Sequence, residues 1–394
     1  MGYDVKKEKR DKDRKEKKHE DDSDDQNGHA HANGTNGYHY NEEGDHAARH
    51  HEHRDRDKKK HSNGFDPHGT VLDEEDKDVG KAEVDKTRLH VDNFDLSAPT
   101  KRALAEKNIS VLFDIQAATF DSIMKGCDLI GRARTGSGKT LAFVLPCVET
   151  IVKNKLADTR RRGRSPLVIV LAPTRELANQ VFRDFEHVAG AHGLRSVCLY
   201  GGTPFGPQCH VMREGVDIVV GTPGRVIDHL ERETLRMESI KFVILDEADE
   251  MLSMGFQEDV EKVMDSATSA HQTLLFSATV PKWVKDLTSR YLKNSVKSID
   301  TVGDDKNRTN ADISHVAIPC PPNMRAETLG DLVKVHAGTY GKSLVFCDTK
   351  KDANELAEHP KLISLGSAVL HGDIPQATRE STLDKYRSGK IRCL

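Results

Sequence analysis

The run Ala133-Arg134-Thr135-Gly136-Ser137-Gly138-Lys139-Thr140 packs two glycines, a lysine and three hydroxyls into eight positions, and the apolar Leu141 to Leu145 behind it have the density of a buried helix. Glycines let successive backbone N–H groups wrap an anion, and a helix opening directly after the loop adds its own free N–H groups and its dipole. Lys139 is then placed to reach the β- and γ-phosphates of a nucleotide, and the Thr140 hydroxyl to ligate Mg2+. Ala133 stands where the generic G-x-x-x-x-G-K-[ST] pattern has its first glycine, so the pattern is met in all but one position.

A second constellation is Phe242-Val243-Ile244-Leu245 followed by Asp246-Glu247-Ala248-Asp249, a buried strand ending in three carboxylates. Beside a phosphate loop, Asp246 can hold Mg2+ through water and Glu247 can polarise an attacking water, with Asp249 placed to relay contacts. Taken alone, the same acids would serve equally well as a helix cap. Their company with the phosphate loop favours the metal reading.

These residues need a frame, and the chain from residue 92 onward supplies its rhythm. Short β-rich runs at 167–171, 216–220, 242–245 and 273–276 alternate with amphipathic helical stretches, the pattern of a parallel sheet covered on both faces. Open α/β sheets bind ligands beyond the carboxyl ends of their strands, where both constellations fall. A polar stretch at 301–315 reads as a linker. A second rhythm then begins, with strands expected at 343–346 and 368–370 and a helix at 351–357.

Of the 394 residues, 36% are hydrophobic and 31% charged, which suits two or three domains. The net charge of −4 does not announce a nucleic-acid binder, so any such site must be local. Seven cysteines occur singly with no Cys-x-x-Cys pair, pointing to a reducing compartment. No apolar run approaches the roughly 20 residues of a membrane helix, so no membrane partner is expected. Residues 1–90 carry 19 basic and 24 acidic side chains and 11 of the 20 histidines, too little apolar surface to offset chain entropy, and are expected to be disordered. Within them, the interleaved acids around Lys6 to Lys18 favour a solvated polyampholyte over a nuclear address. His46, His50, His51 and His53 read as a flexible spacer rather than a metal site, since no cysteine accompanies them.

The motifs together resemble the DEAD-box RNA helicases, a group built on two RecA-like domains. The resemblance runs from about Val91 to the last residue. In this family Ala133 is the usual start of the phosphate loop, and Asp246-Glu247-Ala248-Asp249 is the motif behind the name. The resemblance implies ATP and Mg2+ as cofactors and RNA as partner. Phe94 and Leu112 to Gln116 look like the family's adenine-reading Q motif, with Phe94 stacking on the base and the Gln116 amide pairing with its edge; Asp114 and Asn108 replace the usual Pro and Gly. Pro173, Thr174, Arg175, Gly201, Gly202, Thr222, Pro223, Gly224 and Arg225 resemble the RNA-contacting motifs, whose helix starts and turns grip phosphates without reading bases. Ser277 and Thr279 resemble the motif that couples the two sites. Gly372, Gln376 and Arg379 would face RNA from the second domain.

The resemblance divides the chain into a tail (1–90), an ATP-binding RecA-like domain (91–300), a linker (301–315) and part of a second RecA-like domain (316–394). Gly201-Gly202-Thr203-Pro204, Pro281 to Val284 and His371 to Gln376 look like the nucleolar Gu-type subgroup, implying ribosome biogenesis, ribosome-assembly partners and the nucleolus, with cytoplasm or an organelle as the alternative. The family's motifs V and VI, including its γ-phosphate arginines, do not occur before Leu394. The expectation is therefore an RNA helicase met as an incomplete chain, or alternatively a non-catalytic ATP- and RNA-binding module that regulates a full-length helicase.

Overall fold

The computed structural model describes residues 87–158, 161–292, 296–303, 313–338 and 340–394. The sequence readings for the tail up to residue 86 and for linker residues 304–312 lie outside the described residues.

Runs of Val, Ile and Leu cannot face water on either side, and here they become interior strands. Seven strands, β1 (Leu129–Arg132), β2 (Val168–Leu171), β3 (Ser196–Leu199), β4 (Ile218–Gly221), β5 (Phe242–Asp246), β6 (Gln272–Ser277) and β7 (Lys297–Asp300), form one sheet in the order β3-β4-β2-β5-β6-β1-β7. Every pairing is parallel. β2, β4, β5 and β6 are buried along their whole length. Successive residues serve opposite faces: Val168, Val170, Ile244 and Phe276 join one core, Ile169, Leu171, Leu245 and Leu275 the other. The four β-rich runs of the sequence are all found; β3 buries only alternate residues, and β7, largely exposed, has a single aliphatic residue to announce it.

The first core is covered by α1 (Ala98–Glu106), α2 (Asp114–Met124), α3 (Lys139–Lys153) and α4 (Arg175–Gly190), and the second by α5 (Phe205–Glu214), α6 (Pro223–Glu231), α7 (Ala248–Ser253), α8 (Gln257–Ser266) and α9 (Lys282–Tyr291). No described helix is long and apolar enough to cross a membrane. Register fixes the functional edge. Asp246 lies opposite Phe276, Ser277 lies opposite Arg132, and the Ala133 N–H donates to the Ser277 carbonyl at 3.1 Å. The loop after β1, the acids after β5 and the hydroxyls after β6 are thus delivered side by side.

The second segment contains α10 (Arg325–Ala337), α11 (Lys350–Ala357), α12 (Pro360–Ile363) and α13 (Gln376–Arg387). The expected helix at 351–357 is present as α11, but the strands expected at 343–346 and 368–370 are not ladders. Ser343 and Ser367 each form a single parallel bridge to Cys393, and the pairing is carried by residues 392–394 between them. Leu344 and Phe346 stand exposed, so no face of this segment buries the alternating side chains that would lengthen a strand.

Candidate functional site

The phosphate loop turns through Gly138, whose φ of +79° makes it a left-handed start to α3. A Cβ there would collide with the Gln116 amide and the Phe113 ring, so glycine is required by both conformation and space. Thr135 and Gly136 form the exposed tip, and the Ser137 hydroxyl closes the loop onto the Arg134 carbonyl at 2.7 Å. Lys139 is buried, its ammonium donating to the Ala133 carbonyl at 3.1 Å. The side chain that the sequence assigned to phosphates thus rests against the loop itself. Thr140 follows, half-buried, in the first turn of α3.

Asp246 is 2% exposed, and its Oδ1 has no hydrogen-bond partner. Burial pushes its carboxyl up to about 7, against the pull of the Lys139 charge. An orphaned, fully buried carboxylate oxygen is costly unless something polar meets it, and it suits a hydrated divalent cation. Among the described residues no group of three or more His, Cys, Asp or Glu is gathered as a metal site. Mg2+ accepts that arrangement because it keeps most of its water and phosphate ligands. Glu247, next along, has φ +53° and ψ +52°, a left-handed conformation that a non-glycine residue adopts only when its surroundings impose it. Burial raises its carboxyl above the ordinary range, opposed by Lys139.

Asp249 joins the hydroxyls at the end of β6. Its Oδ2 accepts from the Thr279 N–H at 2.9 Å and the Thr279 hydroxyl at 2.7 Å, while the Ser277 hydroxyl donates to the Thr279 carbonyl at 2.6 Å. Burial alone would raise the Asp249 carboxyl; the bonds from Thr279 and Ser277 outweigh it and leave the group below its usual value. Asp249, Ser277 and Thr279 therefore form one hydrogen-bonded unit.

Gln116 is 3% exposed and ties α2 to the loop: its Nε2 donates to the Gly138 carbonyl at 2.8 Å and its Oε1 accepts from the Phe113 N–H at 2.9 Å. A primary amide has two N–H groups and two lone pairs, so one donor and one acceptor of this side chain are left over. Phe94 is half-buried and meets Phe120 edge-on, with centroids 5.5 Å apart. Phe113, given no separate role by the sequence reading, is 61% exposed beside Gly138.

A cleft of about 650 Å³ gathers Pro173, Thr174, Arg175, Gly201, Thr222, Gly224 and Arg225 from the first segment with Gly372 and Arg379 from the second. Thr174 and Thr222 cap α4 and α6, Pro223 opens α6, and Gly202 holds φ +80° with the Arg175 guanidinium packed where a side chain would be. Each cleft arginine already has a protein partner. Arg175 bonds Gln376 Oε1 at 3.1 Å, Arg379 pairs with Glu176, and Arg225 donates to the Thr203 carbonyl at 3.2 Å. Arg225, 11% exposed, thus braces the glycine turn rather than standing free.

Gln208, missed by the sequence reading, is the hub of that brace. Its Nε2 donates to the Tyr200 carbonyl at 3.1 Å and the Thr203 hydroxyl at 2.8 Å, and its Oε1 lies 3.1 Å from both Arg225 Nη1 and His229 Nε2. Because an amide oxygen only accepts, this contact favours the tautomer with the proton on Nε2. Burial, with the Arg225 charge beside it, holds the His229 imidazole down at about 4. A folded value below the unfolded one of about 6.5 means that the neutral ring's contribution to stability is complete above pH 6.5 and is lost as pH falls toward 4. In urea unfolding, the stability advantage of wild type over His229→Asn should therefore narrow between about pH 7.5 and pH 5. An unchanged gap would refute the neutral, buried ring.

Comparisons with known proteins place the chain in a family. Residues 113–287 match the DEAD/DEAH box helicase family model, and residues 324–394 match the helicase conserved C-terminal domain. The chain is 35% identical to a solved DEAD box protein from the hyperthermophile Methanococcus jannaschii, covering 77% of this chain and 79% of that one with a TM-score of 0.50. It belongs to the DEAD-box helicase family. S. cerevisiae Dbp5 bound to RNA and ADP BeF3 is similar at 26% identity and a TM-score of 0.64, covering 78% of this chain and 75% of that one. DEAD-box ATP-dependent RNA helicase 7 of Spinacia oleracea is 49% identical over 306 residues, which are 77% of this chain and 44% of that protein. Nucleolar RNA helicase 2 of Rattus norvegicus is 44% identical over 308 residues, 77% of this chain and 39% of its own length. The chain spans less than half the length of these two relatives.

Proposed function

We propose that this chain is part of an ATP-dependent RNA helicase that grips RNA by its backbone and unwinds or remodels short duplexes or RNA–protein complexes. The observation that carries the reading is the cleft in which motif residues of both segments converge. In this reading Phe94 and Gln116 meet the adenine, and residues 133–140 hold the phosphates. Thr140 directly, and Asp246 through water, hold Mg2+, which neutralises charge on the phosphates when bound. Glu247 orients the attacking water, and Asp249, Ser277 and Thr279 link the two sites. Pro173, Thr174 and Arg175, the Gly201-Gly202 turn, Thr222 to Arg225, and Gly372, Gln376 and Arg379 would receive phosphates, the arginines exchanging their present protein partners for them, which makes binding largely independent of sequence. We further propose the domain division 91–300, 301–315 and 316–394. The name of the nucleolar RNA helicase 2 relatives supports a nucleolar location, and we propose a task in ribosome assembly there.

The test is ATP turnover of the 394-residue chain with and without single-stranded RNA. RNA-stimulated turnover would carry the helicase reading for this chain itself. Nucleotide binding with no stimulation would instead favour a binding module that regulates a longer helicase.

A further inference from the structure

Two side chains outside the motif residues named above join the two segments. Tyr200, immediately before the glycine turn, donates through its hydroxyl to Glu380 Oε1 on α13 at 2.9 Å. The same carboxylate oxygen accepts from Gln376 Nε2 at 2.9 Å, one helical turn away. Gln376, 6% exposed, accepts from Arg175 Nη1 at 3.1 Å, and the Arg175 guanidinium packs against Gly202, two residues beyond Tyr200. The contacts close a ring: Tyr200, Glu380, Gln376, Arg175, and back to the turn that carries Tyr200. One anionic oxygen receiving two donors makes Glu380 the fixed point of the ring, and hydrogen bonds to a charged acceptor are roughly twice as strong as neutral ones. Arg379 with Glu176, and Arg183 with Asp384 at 3.7 Å, flank it along the same helix.

We propose that Tyr200 and Glu380 are positioning residues: they clasp α13 to the first segment, and through Gln376 and Arg175 they set the orientation in which the cleft meets an RNA backbone. The RNA half rests on the function proposed above; the clasp itself does not. Tyr200→Phe keeps the ring and removes the hydroxyl. Glu380→Ala removes the acceptor, and Glu380→Gln keeps an acceptor oxygen without the charge.

Hydrogen–deuterium exchange on the full chain reads the clasp without RNA. Amides of 376–387 and 200–203 should exchange about tenfold faster in Tyr200→Phe and Glu380→Ala, the size expected for one charge-assisted hydrogen bond. Those of β2 should be unchanged, Glu380→Gln should recover toward wild type, and the double variant should be no faster than Glu380→Ala alone. Unaltered exchange in α13, additive effects, or acceleration spreading into β2 would overturn the clasp. With a single-stranded oligonucleotide and a non-hydrolysable ATP analogue, Tyr200→Phe should weaken RNA binding about tenfold while leaving nucleotide affinity within about twofold. Faster exchange with undiminished RNA affinity would overturn the orienting role. A wild-type chain that binds no RNA would sink the functional reading, and the exchange data would still decide the clasp.

Discussion

Lys139→Ala abolishes nucleotide binding, measured as the loss of at least about 100-fold in affinity for a fluorescent ATP analogue, the worth of two charge-assisted hydrogen bonds to phosphate. The expectation follows from how the lysine is held. Its ammonium is buried and bonded to the Ala133 carbonyl 3.1 Å away, inside the loop that would wrap the phosphates. A phosphate entering that loop meets a cation already stripped of most of its water, so little desolvation remains to be done at the moment of binding. The same charge opposes the upward push that burial exerts on Asp246 and Glu247. Removing it takes away the phosphate contact and makes both carboxyls harder to ionise, so one substitution weakens two parts of the site. Lys139→Arg is expected to fail as well, because a planar fork cannot occupy the space of a compact ammonium. Retained affinity in Lys139→Ala, with the fold intact by circular dichroism, would refute the phosphate-loop assignment.

Glu247→Gln separates binding from chemistry. ATP affinity should stay within about twofold of wild type while single-turnover hydrolysis falls by about 10² to 10⁴, the span of a lost general base. The variant is informative because Gln preserves size and can sit in the same left-handed conformation, φ +53°, that holds Glu247 at the end of β5. That conformation is costly for a side chain with a Cβ, and the protein maintains it at the position where a water would be oriented. Asp246, one residue earlier, stays in the strand and buried, so in the proposed reading the backbone separates the carboxylate that would hold a metal from the one that would orient water. Hydrolysis that survives Glu247→Gln at the wild-type rate would remove Glu247 from the mechanism.

The parallel sheet was legible because its interior strands are near-continuous Val, Ile and Leu runs, and the phosphate loop and acidic motif were legible because their residue types are demanded by chemistry at fixed spacing. The second segment was read less well. Its expected strands at 343–346 and 368–370 have the right composition, yet a strand exists only by its pairing, and here residues 392–394 supply no more than single bridges. Composition reports what a segment prefers and says nothing about its neighbour. The arginines show a related limit: Arg175, Arg225 and Arg379 stand out in the sequence as phosphate ligands, but their partners Gln376, Gln208 and Glu176 come from elsewhere in the chain. Gln208 carried no signal at all, since a glutamine on a helix is ordinary until its four contacts are seen. Tyr200 and Glu380, 180 residues apart, were invisible for the same reason.

The contact between Gly138 and Gln116 has a consequence for how such a protein can be re-engineered. Any side chain at position 138 would need a left-handed backbone and would also evict the amide and the Phe113 ring from the space they fill. Conversely, a different residue at 116 would release the Gly138 carbonyl and the Phe113 N–H together. Positions 113, 116 and 138 are thus one mechanical part. A library varied at 116 alone is also, unavoidably, a library of altered loop geometry at 138, so under the proposed reading any change of base preference must redesign the three jointly.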